Sequence, residues 1–291
     1  MSIAVSVIIV TYNSRSVVGR CLDAVARYAS DARVEVIVVD NASPDDTADF
    51  VASQYPRVKL VRRRTNAGLS AAINEGVAVA AGAYVLQLNP DTYMDRDVIE
   101  PLASYLSEHT DVGIVAPKLL NDDGSLQLSC RTFPGYSTAI FNRYSIITKL
   151  MPGNRFSRDY LMADFDHAST RDVDWVSGAA LMFPRAIWDQ VGGWDTGYFM
   201  FNEDVDFCRR VHDAGHRVVY EPQVAVYHSI GASQSTSSKL VIERHRSMWR
   251  YYRKHLRGNS VRDALTAAGI TARCVVILTV NGAKRLTARK T

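Results

Sequence analysis

Two adjacent carboxylates, Glu203 and Asp204, open an amphipathic segment and are the first residues in this chain suited to acid–base work. Acids in the first turn of a helix are favoured by its dipole whatever their function. Spacing separates the candidates. Asp204 shares a face with Phe207, Cys208 and Val211, the inward stripe, whereas Asp206 stands three and four residues before Arg209 and Arg210, the spacing of a surface ion pair. Asp204 is thus the acid expected to project into the fold, where a carboxylate could serve as a general base. Asp40 ends an apolar run and reads either as a turn residue or as an acceptor for a nucleobase N–H or ribose hydroxyl. Asp91, within Asn89-Pro90-Asp91, is either a turn residue or a hard oxygen ligand for Mg2+ or Mn2+, which would neutralise a diphosphate. His228 closes another apolar run, and a lone histidine is more often structural than a ligand. Arg62, Arg63 and Arg64 could pair with phosphate, although a solvated edge is the simpler reading.

These residues stand where strand signals end. Residues 4–10, 34–39, 58–61 and 84–88 are β-branched apolar runs. Between them, Val18, Cys21, Leu22 and Val25, and then Leu69, Ala72, Ile73, Gly76, Val77 and Ala80, repeat at helical spacing. Ser43-Pro44-Asp45-Asp46 reads as an N-cap with proline at the first helical position. Strands without polar alternation, separated by amphipathic helices, predict an α/β fold with a mostly parallel sheet covered on both faces. Ligands of such sheets bind beyond the carboxyl ends of the strands, which directs attention to Thr11, Tyr12, Asn13, Asp40, Asn41 and the segment 89–92. Further on, 112–115 and 173–183 read as strands, and 218–220 and 224–227 as short strands flanking Pro222. Asn202 is expected to cap a helix over 203–214 with Gly215 as its stop. Residues 129–170 read as loops and short helices. From Lys239 the pattern is helical, with a break at Gly258 and a second segment from Ser260.

With 291 residues, 47% hydrophobic and 22% charged, the chain can bury a substantial core, which excludes disorder, collagen-like repeats and a disulfide-stapled miniprotein. Four scattered cysteines fit a reducing cytosol, and no signal peptide is read at the N-terminus. No run of 18 uncharged apolar residues exists, so no membrane span is expected. Charge is uneven. From Lys239 onward 13 Lys/Arg face only Glu243 and Asp263, a net +11, which leaves −7 on residues 1–238 of a chain that totals +4. A basic C-terminal segment suggests an anionic partner. A lipid surface fits better than nucleic acid, for which no recognised module is present. The G-x-G-x-x-G and G-x-x-x-x-G-K-[ST] phosphate loops are both absent.

The segments VSVIIVTYN (5–13), VDNASPDDT (39–47), NAGLSAAINEG (66–76), LNPDT (88–92), WVSGAALMF (175–183), GYFMFNEDVDFCRRVHDAG (197–215) and YHSIGAS (227–233) together resemble inverting glycosyltransferases of family 2. The likeness is greatest to the rhamnosyltransferase-type enzymes of bacterial cell-surface polysaccharides. It implies a GT-A fold, a Rossmann-like mixed, mostly parallel sheet flanked by helices. Residues 1–120 would form the nucleotide-sugar half and 121–238 the acceptor-binding and catalytic half, with 239–291 as a basic helical extension. By the same resemblance, Thr11, Tyr12, Asn13, Asp40, Asn41, Asn66, Gly68 and Asp91 would bind the nucleotide, with Asp40 on the base. Asp91 takes the metal-binding Asp-x-Asp position, whose first member is here Asn89, and His228 would be a second contact to Mg2+ or Mn2+. Asp204 matches the catalytic base, with Glu203 beside it, and Trp175 and Gly178 fall where the acceptor lies.

The implied activity is transfer of a single sugar, such as rhamnose from dTDP-rhamnose, onto a polyprenyl-diphosphate-linked saccharide in cell-wall or surface polysaccharide synthesis. The Gln-x-x-Arg-Trp motif of processive members is absent. The basic segment then reads as an interfacial helix that recruits the enzyme to the anionic inner face of the plasma membrane, or else as a solvated helix packed on the body. Two other readings stay open: a non-catalytic GT-A scaffold in a membrane assembly, and a sugar nucleotidyltransferase. A homo-oligomer is compatible with all three.

Overall fold

A computed structural model describes residues 4–29, 33–135, 155–162, 164–229 and 237–288. The first apolar run forms β1 (Val5–Thr11), buried at every position. Its parallel neighbours are β2 (Val34–Asp40), which sets Asp40 opposite Thr11, and β4 (Tyr84–Leu88); β3 (Lys59–Arg62) extends the sheet beyond β2. Successive side chains of β1 face opposite ways. Ile8 and Val10 enter one core with Ala72, Ile73 and Val77 of α3 (Leu69–Ala78). Val7 and Ile9 enter the other with α1 (Val18–Tyr28) and α4 (Ile99–Glu108). Val18, Leu22 and Val25 of α1 are at most 1% exposed, each worth about 1.5–3 kcal/mol of burial. Cover on both faces is why these strands lack polar alternation.

The sheet continues through β11 (Ala180–Pro184), antiparallel to β4, then β6 (Val112–Leu120), β12 (Arg217–His228) and β5 (Thr92–Tyr93). Its order is β3-β2-β1-β4-β11-β6-β12-β5, and the longest pairings, β1 with β2 and β6 with β12, are parallel. One sheet therefore draws strands from both sides of residue 120.

Several local expectations are corrected. The span 173–183 is not one strand. β10 (Trp175–Val176) pairs with β8 (Cys130–Arg131) in a separate ribbon, and the chain turns at Ser177-Gly178 before β11. Conversely, the two strands expected around Pro222 are one, because a register shift between Glu221 and Ala225 absorbs the missing proline N–H. The helix α2 (Thr47–Gln54) starts after Asp46 rather than at Ser43, whose hydroxyl and N–H are drawn to Asp40 instead. Within 129–170 the described residues contain β8 and α5 (Arg155–Leu161), with β9 (Arg171–Asp172) just beyond; residues 136–154 and 163 lie outside those described.

After α6 (Arg185–Val191), the helix α7 (Glu203–Asp213) begins at Asn202, which is left-handed and makes no side-chain cap, and ends at left-handed Gly215. The C-terminal segment forms α8 (Ser238–Tyr251), a π-turn over Tyr252–Leu256, and α9 (Ser260–Ala288). Within α9, Ser260–Gly282 is long and apolar enough to cross a membrane by length and composition, with mean hydropathy 1.6 and 6% of its best window buried. That corrects the expectation of no such segment, for its few charges are outweighed by valine, leucine, isoleucine and alanine.

Candidate active site

The carboxyl ends of β1, β2 and β4 gather the expected nucleotide residues. Asp40 is buried, and its Oδ1 accepts from Thr11 Oγ1 at 3.0 Å and Ser43 Oγ at 2.5 Å while its Oδ2 accepts from Ser43 N at 3.0 Å. The carboxylate is thus a turn former, and its bonds to Thr11 and Ser43 fix its orientation at the strand end. Tyr12 beside it is 49% exposed, presenting an aromatic face to solvent, and left-handed Asn13 anchors its N–H on Ser43 Oγ. Asn41 Nδ2 donates to Asn66 Oδ1 at 2.9 Å and to the Gly68 carbonyl at 3.2 Å, and its Oδ1 accepts from Arg63. Arg63 also pairs with Glu75 at 2.8 Å, so this arginine turns inward while Arg62 pairs with exposed Asp49. Gly68 has φ +94°, and a Cβ there would lie 2.5 Å from the Phe199 carbonyl oxygen. Its glycine is required by the loop that leads into α7, which docks against the start of α3 through Leu69 N–H and the Phe199 carbonyl.

Asp91 and His228 come together. Asp91 is buried, and its Oδ1 lies 3.3 Å from His228 Nε2. The pair is fixed by backbone: Thr92 is the register partner of His228, and Ser229 N donates to the Asp91 carbonyl. Among the described residues no group of three or more His, Cys, Asp or Glu could hold a metal. Two protein ligands nonetheless fit a divalent cation that binds substrate phosphate and keeps several waters. His228 Nε2 and Asp91 Oδ1, 3.3 Å apart, would be the protein atoms that hold it. Imidazole nitrogen in the donor set favours Mn2+ over Mg2+.

The acids of α7 divide differently from their spacing. Asp204 is half-buried, with Oδ2 accepting from Gly178 N at 3.1 Å and Oδ1 from Val205 N at 2.9 Å. Gly178 lies in the turn that ends the β8–β10 ribbon, and Gln87 of β4 holds its carbonyl at 2.7 Å. The next residue, Ala179, accepts from Asn89 N. The base candidate and the Asn89–Asp91 turn thus flank the same β4–β11 junction. A Cβ on Gly178 would meet Gln87 Nε2 at 3.3 Å and Asp204 Cβ at 3.4 Å, so the glycine permits this close approach. Burial raises the Asp204 pKa above the ordinary carboxylate value, opposed by the Gly178 and Val205 N–H groups and by the charge of Arg131.

Glu203 is buried, with no partner on its Oε2, and burial, followed by the Asp204 charge, pushes its carboxyl up to about 8. The Asp204 charge is one cause of the Glu203 shift, so Glu203 is the member of the pair that holds its proton to higher pH. Glu203→Gln is therefore expected to keep most transfer activity near neutral pH. A carboxyl raised in the folded state stabilises below its unfolded value of 4.5, and that contribution is lost as pH rises through about 8. Thermal unfolding across that window should fall in the wild type relative to Glu203→Gln.

Asp206 is not a surface pair. It is fully buried and accepts from Arg210 Nε at 2.8 Å, His255 Nε2 at 2.7 Å and Lys254 Nζ at 2.8 Å. Its neighbour Asp195 accepts from Arg250 at 2.7 Å and Lys254 at 2.8 Å. Basic residues of the C-terminal segment thus clamp the loop and helix that carry Glu203 and Asp204. Ser247 adds a bond to the Met200 carbonyl.

Trp175 is 5% exposed, and its indole N–H donates to the Thr132 carbonyl. It reaches the site through its cross-strand partner Arg131, whose guanidinium lies 5.0 Å from the Trp175 ring. Arg131 and Gln87 were not legible as site residues. Neither belongs to a strand-end motif, and only the folded ribbon and sheet bring them to the Gly178–Asp204 contact.

The sheet order and its covering helices match the GT-A architecture. A family profile described as Glycosyl transferase family 2 matches residues 6–163. The chain is 29% identical over 273 residues to the N-acetylglucosaminyl-diphospho-decaprenol L-rhamnosyltransferase of Mycobacterium tuberculosis, covering 86% of this chain and 88% of that one. It is 27% identical over 198 residues to rhamnosyltransferase WbbL of Escherichia coli strain K12, covering 67% and 71%. S. aureus TarS, solved with UDP-GlcNAc, superposes with TM-score 0.58 at 16% identity over 92% of this chain and 71% of that one, a likeness of fold. This protein belongs to glycosyltransferase family 2 and is a transferase.

Proposed function

We propose that the protein is an inverting transferase that moves one sugar, rhamnose from dTDP-rhamnose being the favoured donor, onto a lipid-linked saccharide diphosphate, with Asp204 as general base. The position of Asp204 carries this reading: a half-buried carboxylate, oriented by two backbone N–H groups, beside the β4–β11 junction that also carries the Asn89–Asp91 turn. Similarity to a rhamnosyltransferase whose name specifies N-acetylglucosaminyl-diphospho-decaprenol supports the choice of donor and acceptor.

In this mechanism Asp204 takes the proton of the acceptor hydroxyl as its oxygen attacks the anomeric carbon. The bond from that carbon to the diphosphate oxygen breaks on the opposite face, and the nucleoside diphosphate leaves with the bonding electrons. Tyr12, Asp40 and Asn41 hold the nucleoside, and Asp91 with His228 would hold a divalent cation. That cation would supply positive charge beside the departing diphosphate.

The test is nucleoside-diphosphate release from a panel of nucleotide-sugars, with Mn2+, Mg2+ or chelator, with and without an acceptor mimic carrying a lipid diphosphate. Acceptor-stimulated release from dTDP-rhamnose is expected. Nucleotide binding without release from any donor would favour the non-catalytic scaffold.

The same reading places the enzyme peripherally on the cytoplasmic face of the membrane. Helix α9 supports this, with Val261, Leu265, Val275, Val276 and Val280 between 48% and 69% exposed. Arg250 and Lys254 already pair with Asp195, and Arg257 lies by Asp263, so apolar insertion contributes more than the net charge suggests. The protein should float with acidic vesicles, lose binding when residues 260–291 are removed, and wash off in alkaline carbonate. Resistance to carbonate would instead indicate a span.

A further inference from the structure

Gln127 has no part in the transfer just described, yet its amide decides which nitrogen of His228 is available. Its Nε2 donates to Asn121 Oδ1 at 3.0 Å and to the backbone carbonyl of His228 at 3.2 Å. A carbonyl oxygen only accepts, so the NH2 end of the amide must lie there. The flipped amide would set oxygen against oxygen. Gln127 Oε1 is left facing His228 Nδ1 at 2.7 Å. An amide oxygen also only accepts, which assigns the imidazole proton to Nδ1. The lone pair of the neutral ring is then on Nε2, the ring nitrogen that lies 3.3 Å from Asp91 Oδ1.

The strands make this arrangement rigid. Gln127 belongs to β7 (Leu126–Gln127), registered opposite Leu119 of β6, and β6 is the parallel neighbour of the strand that ends in His228. The His228 side chain is 11% exposed, so few competing partners reach its ring. The choice of nitrogen matters because the two tautomers have opposite consequences. With the proton on Nε2, the preference of a free neutral imidazole, the ring would present an N–H on the Asp91 side and have no electron pair there for a cation. With the proton on Nδ1, two electron-pair donors converge from β12 and the Asn89–Asp91 turn.

We propose that Gln127 is a positioning residue that holds His228 as the Nδ1–H tautomer, so that Nε2 and the Asp91 carboxylate form a two-atom ligand pair for a divalent cation. This rests on the assignment of Asp91 and His228 as the cation site. Hydrogen-bond partners of metal-binding histidines act in this way, and their loss typically lowers metal affinity about 10- to 100-fold.

The experiment titrates the full-length protein with Mn2+ alone by calorimetry. In parallel, 15N spectra of the metal-free protein, taken where His228 is neutral, report the tautomer. Gln127→Leu removes the acceptor at similar size, whereas Asn121→Ala removes only the outer partner of the amide and leaves Oε1 opposite Nδ1; circular dichroism checks that both fold. Expected are a roughly 10- to 100-fold weaker Mn2+ affinity in Gln127→Leu, near-normal affinity in Asn121→Ala, and a shift of the His228 proton from Nδ1 to Nε2 in Gln127→Leu only. Unchanged affinity and tautomer in Gln127→Leu would overturn the proposal. So would a wild-type ring protonated on Nε2. Mn2+ binding that is absent, or indifferent to His228→Ala and Asp91→Asn, would overturn the ligand pair itself. The tautomer spectra would then show whether Gln127 still orients the ring, which separates failure of the cation site from failure of the positioning role.

Discussion

Asp204→Asn is expected to fold, bind nucleotide and lose transfer by about 10²- to 10⁴-fold in kcat, the range for removal of a placed general base. The single amide oxygen of asparagine keeps one of the two N–H donors that the Asp204 carboxylate accepts from, Gly178 or Val205, and the other then faces its NH2 group. The variant therefore loses the capacity to take a proton together with one positioning bond, and nucleotide binding checks that the fold survives. Because the Asp204 pKa is raised by burial, wild-type kcat/KM should fall with acid at a pH above the ordinary carboxylate range. Single-turnover transfer with saturating donor isolates the chemical step. A variant within threefold of the wild type would remove Asp204 from the base role, and the contrast with Glu203→Gln separates the two adjacent acids.

Asp206→Asn is expected to be the most destabilising single change on α7. A surface i, i+4 pair contributes at most about 1 kcal/mol. Removing the anion from a buried cluster leaves Arg210, Lys254 and His255 without their shared partner, which typically costs about 3–5 kcal/mol. For a domain of this size that corresponds to a fall in Tm on the order of 10 °C. The pH dependence has a definite sign. Burial works against the Asp206 charge, but hydrogen bonds from His255 and Lys254 and the charge of Arg210 outweigh it and hold the carboxyl below its ordinary value. A carboxyl lowered in the folded state stabilises at pH above its unfolded value and loses that contribution as pH falls through the folded one. The stability gap between wild type and Asp206→Asn should therefore be full at neutral pH and shrink in acid. Hydrogen exchange should also quicken across the π-turn, since Lys254 and His255 lie within it.

The parallel half of the sheet was legible because burial on both faces writes itself as uninterrupted apolar runs, and strand ends then name Thr11, Asp40 and Asp91. Helical spacing singled out Asp204 as the inward acid, but Glu203 and Asp206 are the buried ones, and half-buried Asp204 instead meets Gly178. The same spacing misread Asp206, because an i, i+4 arginine pairs with an aspartate equally well on a surface or under a covering element. Only the later helix α8 and its π-turn supply that cover. The strand expected over 173–183 failed for a related reason. Its apolar run is continuous, but its first residues pair with β8 instead of the main sheet, and the turn at Ser177-Gly178 that results is what holds Asp204. Arg131, Gln87 and Gln127 carried no signal at all, since long-range pairing alone gives them their neighbours.

The central claim, direct displacement assisted by a single carboxylate, is tested most directly by the anomeric configuration of the product. Proton NMR of the glycoside formed from a donor of known anomeric configuration should show inversion at the transferred carbon. Retention would contradict the account, because it requires a second displacement or a front-face path that Asp204 as a general base does not provide.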